Sequence, residues 1–178
     1  MEKELILPFL GNRDYIHGTT LFDNLIQYVP EPASIIFNIT GFIRSDRVKI
    51  SDQKDKNENS QSAVLKWFTD EESGNIFVNK LETSGQERRI ESDEGVIQKR
   101  MKFSERRAHF IGPSQFSFMS TVVFANKALI RHCQNDDEQG KLIFVRADLI
   151  KIPRSIQTFE LKLDHVTRKN MYLTQILS

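Results

Sequence analysis

Apolar residues along this chain follow two rhythms. Leu21, Phe22, Leu25, Ile26 and Val29 recur at the three- and four-residue spacing that lines one face of a helix, beginning at Thr19 or Thr20 and ended by Pro30 and Pro32. A longer helix is predicted over 114–132, with Phe116, Met119, Val122, Val123, Ala125 and Leu129 or Ile130 facing inward. Strand-like runs rich in β-branched and aromatic residues, or alternating in polarity, are predicted over 4–9, 34–43, 47–51, 63–69, 75–83, 96–103, 142–152, 156–165 and 170–177. Turns are expected at 11–14, 71–74 and 167–168, the last two closing hairpins. The polar runs 52–62 and 135–140 read as solvated loops.

The order of these elements repeats. Arg13, Gly18 and Phe22 return as Arg107, Gly112 and Phe116 at a constant offset, each set leading from a polar loop into an apolar helix. Ile35 to Ile43 is echoed by Leu142 to Ile150, Leu65-Lys66-Trp67 by Leu161-Lys162-Leu163, and Ile76-Phe77-Val78 by Met171-Tyr172-Leu173. Residues 1–84 then form a first repeat, 85–95 a linker with almost no apolar content, and 96–178 a second repeat. Each is a strand, a loop, one helix and several antiparallel strands. The fold class is α+β, with a curved sheet as the natural cover for an apolar helix.

Composition narrows the function classes. The 178 residues carry 25 basic and 24 acidic side chains, so the overall field favours neither nucleic acid nor a membrane surface. Cys133 is the single cysteine, which excludes an internal disulfide and suits a reducing compartment. Met1-Glu2-Lys3-Glu4 is too acidic for a signal peptide, and no apolar run approaches the ~20 residues that span a bilayer. A soluble, cytoplasmic protein is the expectation. No phosphate-binding glycine loop, nucleophile elbow, zinc spacing or nucleotide site is visible, so no metal and no cofactor are expected.

The repeated order of elements, with a glycine entering each helix at Gly18 and Gly112, resembles the hot-dog fold, and two copies in one chain resemble a double hot-dog. That resemblance implies binding of acyl thioesters of coenzyme A or acyl carrier protein, with the thioester near the start of a central helix. Free backbone N–H groups there can donate to a thioester oxygen, and glycine admits a ligand closely. It equally permits the backbone turn into the helix. In dehydratases of this fold a histidine before the helix acts as base and an acid from the partner unit's helix handles the hydroxyl. His17 fits the histidine position, and an imidazole suits that task near pH 7. The second predicted helix contains no Asp or Glu, so that pair is incomplete.

Asp23 is the acid left on a helix interior, as a catalytic group or as a favourable charge on the helix dipole. Arg13, His109, Gln115 and Asn126 complete the candidate substrate-binding set with Gly18 and Gly112; Arg13 and Arg107 suit either a phosphate of the carrier arm or a nearby carboxylate. Two functions follow from the resemblance. One is a dehydratase- or thioesterase-like enzyme, as in fatty-acid or polyketide-type biosynthesis, with His17 and Asp23 catalytic. The other is a non-catalytic thioester binder or scaffold that has lost its acid. The paired repeats allow a monomer as well as a homodimer.

Overall fold

In the computed structural model, residues 1–30, 34–55, 61–85, 88–91, 93–134, 142–150, 158–166 and 172–177 are described. They form two compact units, Met1–Ser92 with Phe144–Ile152, and Asp93–Ile143 with Pro153–Ser178. The fold is α+β with nearly all strand pairs antiparallel. The partition differs from a simple tandem. Residues 144–152, expected in the second repeat, belong to the first unit because their strand hydrogen-bonds to its sheet.

In the first unit, strands β1 (Glu2–Ile6) and β2 (Phe9–Leu10) precede helix α1 (Gly18–Leu25), which tightens into a 3-10 turn over Ile26–Tyr28 before Pro30. Strands β3 (Ser34–Ile39), β4 (Arg47–Ser51), β5 (Gln61–Phe68) and β6 (Ser73–Lys80) follow. With β10 (Arg146–Leu149) they make one six-stranded sheet in the order β1-β4-β6-β5-β3-β10. Alternation builds its core: Phe37 lies beside Leu65, which lies beside Ile76, and all three are buried. Helix α1 turns Leu21, Phe22 and Leu25 inward, and the Phe22 ring meets Phe37 edge to face at 5.5 Å. The hairpin of β5 and β6 matches expectation, while the loop 52–62 falls partly outside the described residues.

The stretch 84–95 is not a bare linker. Arg89 and Ile90 form β7, pairing in parallel with Phe9 and Leu10 of β2, a contact no apolar pattern announces.

In the second unit the expected strand 96–103 starts instead as a helix, α2 (Glu94–Gln98), because the Asp93 side chain accepts from Gly95 N–H at 3.0 Å and Glu94 sits at its positive end. A hairpin of β8 (Met101–Ser104) and β9 (Arg107–Ile111) leads to α3 (Phe118–Cys133), and β11 (Thr158–Val166) and β12 (Tyr172–Leu177) complete a sheet in the order β12-β11-β9-β8. Phe110 and Phe159, neighbours across β9 and β11, stack at 5.0 Å on the buried face with Leu161 and Leu163. Buried Lys127 of α3 reaches Glu94 of α2 at 3.1 Å and joins the two helices. The predicted turn 167–168 and loop 135–140 lie outside the described residues. Among the described residues no helix is long and apolar enough to cross a membrane.

Candidate functional site at the start of the first helix

The loop before α1 is held from several sides. Arg89 Nη1 donates to the carbonyls of Gly11 and Arg13 at 3.1 and 2.9 Å, and Ile16 N–H donates to Ile43 O at 2.8 Å. Arg13 spends a donor on Leu10 O at 3.1 Å, so it too braces the loop. Its neighbour Asp14 faces Arg44 at 3.7 Å, an exposed pair of small energetic weight. These bonds deliver His17 to the helix N-terminus.

His17 is 4% exposed and is the N-cap of α1, in extended backbone with φ −71° and ψ 141°. Its Nδ1 lies 3.5 Å from Thr19 N and 2.8 Å from Thr19 Oγ1. The 2.8 Å contact suits either tautomer, the hydroxyl accepting from a protonated Nδ1 or donating to a bare one, whereas the longer contact to Thr19 N–H forms only with Nδ1 as acceptor. As an acceptor at Nδ1 the imidazole caps the helix, and the tautomer that does so carries its proton on Nε2. Proton abstraction requires a free lone pair, and the capping contact occupies the one on Nδ1.

Gly18 opens the helix under a close cover. A Cβ there would stand 2.5 Å from Ile39 Cδ1 and 2.8 Å from Phe144 Cδ1. The protein's own side chains therefore use the room that a missing Cβ leaves. Gly18→Ala is expected to cost about 1–3 kcal/mol through overpacking, less if the half-buried Phe144 ring swings aside. Denaturation followed at Trp67, the chain's one tryptophan and a residue of β5, measures it. An unchanged midpoint would remove the packing role of this glycine.

Asp23 is half-buried and lies one helical turn beyond Thr19, on the flank of α1 rather than its buried stripe. The first turn of α1 carries no acid, and the dipole effect fades within that turn, so dipole stabilisation explains Asp23 poorly.

The corresponding candidates in the second unit are placed otherwise. Ser117, not Ser114, caps α3, accepting from Ser120 N–H at 3.1 Å, while Ser114 Oγ accepts from Phe116 N–H and meets Thr121 Oγ1 at 2.6 Å. The helix thus starts later than its apolar pattern suggests, and Gly112 stands in the preceding loop, six residues before α3. Gln115 also falls in that loop, beside a cavity of about 30 Å³ shared with Val96, Ile97, Arg100 and Ser114, with room for about one water and none for an acyl group. His109 is a strand residue on the exposed face of β9, opposite Lys102 and Glu160. Arg107 pairs with Glu160 at 2.6 Å. Asn126, on α3, accepts from Thr174 Oγ1 at 2.6 Å and so ties the helix to β12. Cys133 donates its thiol to Glu105 O at 3.4 Å; burial pushes its pKa up, with the Arg106 charge opposing, the reverse of what a nucleophilic thiol needs.

Of the residues singled out in the sequence, the structure gathers Arg13, His17 and Gly18 into one region and leaves Gly112, His109, Gln115 and Asn126 in the other unit. Thr19 and Arg89 complete the region. Thr19 had a signal, a hydroxyl two residues after the histidine, whereas nothing in the charged run around Arg89 marked it. No protein-family model, curated protein or solved structure matches this chain.

Proposed function

We propose that this protein binds acyl thioesters of coenzyme A or acyl carrier protein at the start of α1, and that its two units are variants of the hot-dog fold. The order strand, helix and consecutive strands in one antiparallel sheet supports the fold reading for the first unit. The stretch aligned with Ile35 to Ile43 pairs with it in the first unit's sheet, a departure from two self-contained copies. The second unit departs from the pattern, with a full hairpin ahead of its helix.

The observation that carries the functional reading is the buried His17-Gly18 pair at the first turn of α1. With the proton on Nε2, His17 polarises a thioester carbonyl as a donor, beside backbone N–H groups of the helix start. A ligand arriving there displaces the Phe144 ring from Gly18. Binding with polarisation needs no second acid. A second reading, a dehydratase- or thioesterase-like enzyme in which His17 takes a proton, is favoured by the half-buried Asp23 one turn past Thr19. It requires the imidazole to leave its cap.

The test is incubation with saturated and 3-hydroxyacyl pantetheine thioesters, read by native and denaturing mass spectrometry, for wild type, His17→Asn and His17→Ala. Asparagine keeps an N-cap, so its stability should stay within about 1 kcal/mol of wild type, whereas alanine should lose ~1 kcal/mol or somewhat more. Thioester binding should fall at least tenfold in both variants. Loss of water or of the thiol by wild type alone selects the enzyme. Asparagine and wild type binding alike would make His17 a cap and nothing more, and no binding by wild type would end the thioester reading.

A further inference from the structure

The sheet of the second unit has two edges, and they are treated differently. β8 is four residues long and carries Lys102, a short charged edge of the kind that resists pairing with other chains. In the first unit the edge strand β1 carries Glu2, Lys3 and Glu4, with Arg47 and Lys49 paired to its acids. β12, reading Tyr-Leu-Thr-Gln-Ile-Leu, has no charge and no proline, and among the described residues its one strand neighbour is β11.

Side-chain direction sharpens the contrast. Leu173, Gln175 and Leu177 alternate onto the face where β11 shows Glu160 and Lys162 and β9 shows Arg107 and His109. That face is polar across β9 and β11 and becomes apolar at β12, where Leu173 is 49% and Leu177 38% exposed.

We propose that β12 is a self-association edge, on which two copies of this chain pair β12 to β12, antiparallel, about a two-fold axis through Gln175. A two-fold perpendicular to the sheet demands that facing residues come from the same side of the pleat, and the Gln175 register satisfies this. It sets Leu173 against Leu177 of the second copy, twice, gathering four leucines on one face. The two Gln175 amides meet at the axis, where each can donate to the other. Ile176 faces Thr174 on the opposite side. A strand without charge brings no like charges together when it meets itself, and this selects a second copy over an acidic or basic peptide as the occupant. A six-residue edge is short beside a standard interface, which buries ~1,600 Å², and belongs with the smaller, transient class. The inference rests on the sheet edge and is independent of the thioester reading.

Sedimentation velocity of the full chain across a micromolar to submillimolar range tests it. Wild type should pass from monomer to dimer. Gln175→Lys and Gln175→Glu each place like charges at the axis and should weaken the dimer more than tenfold while leaving the far-ultraviolet circular dichroism unchanged. Mixing the two should restore a heterodimer, an outcome peculiar to an axis at this residue. Should a charged variant misfold, Leu177→Ser at the rim takes its place and must also weaken association. A wild type monomeric throughout, or a dimer indifferent to these changes, overturns the proposal.

Discussion

Phe37→Ala should lower the stability of the first unit by about 3–5 kcal/mol, the largest loss expected from a single substitution there. The side chain is fully buried on β3, between β5 and the edge strand β10. Phe22 of α1 meets it edge to face at 5.5 Å, Phe144 lies tilted at 6.0 Å, and Leu65 is its neighbour on β5. Truncation removes the ring's contacts with all three and leaves a cavity that a sheet hydrogen-bonded on both sides of β3 cannot collapse. Trp67 reports this unit directly, since it pairs with Ile35 two residues away on β3. Denaturant unfolding read at Trp67 should show an earlier midpoint with a similar slope. Phe68→Ala, at an exposed position on the same hairpin, is the control and should stay within ~0.5 kcal/mol. A loss below 1 kcal/mol for Phe37→Ala would mean that the sheet and helix do not share the core described. The consequence for function is direct: α1 rests on this ring, so its loss should also loosen the helix start that presents His17 and Gly18.

Asp46→Ala is the second large effect, expected at about 2–4 kcal/mol. The residue is fully buried at the entry to β4. One carboxylate oxygen accepts from Ser84 N–H at 2.8 Å and Thr83 Oγ1 at 2.9 Å, the other accepts from Ser84 Oγ, and the Asp46 carbonyl accepts from Leu7 N–H at 2.8 Å. One side chain thereby ties the entry to β4 to the segment leaving β6. Alanine removes all three carboxylate bonds at once, and the buried end of β4 loses its tie to Thr83 and Ser84. Asparagine keeps one oxygen and should cost about half as much.

The same bonds set the response to acid. Burial alone would raise the Asp46 pKa, but the hydrogen bonds from Ser84 and Thr83 outweigh it and hold the carboxyl below the ordinary aspartate value. A lowered folded-state pKa means that the unfolded chain takes up the proton first. The contribution of Asp46 is therefore complete above the unfolded carboxyl pKa of about 3.9 and is lost as pH falls through the folded value. Midpoints taken from neutral to strongly acid pH should fall less steeply in Asp46→Asn than in wild type. Parallel curves would sink this assignment.

The sequence was most legible where burial is periodic. Phe22 and Leu25 on α1, Ile35 and Phe37 on β3, and the β5–β6 hairpin follow from the rule that a half-buried strand alternates and a half-buried helix returns every three to four residues. It was least legible where capping outweighs periodicity. Asp93 starts a helix where a strand is expected, and Ser117 caps α3 four residues into the predicted 114–132 helix, leaving Gly112 in the loop before it. A cap is chosen by which side chain reaches a free N–H, and reach is a property of three-dimensional placement.

By itself, then, the sequence determined an α+β chain with two apolar helices, the inward faces of its main strands, and a histidine and glycine entering the first helix, because each of these is set by neighbours within a few turns or a few residues. The tertiary structure alone decided that Leu142 to Ile150 would add a strand beside Ile35 to Ile39, that Arg89 would brace the loop of Arg13, and that Ile39 and Phe144 would close over Gly18. These are long-range choices in which one residue finds a partner far along the chain, and local patterns of polarity carry no record of which partner that is.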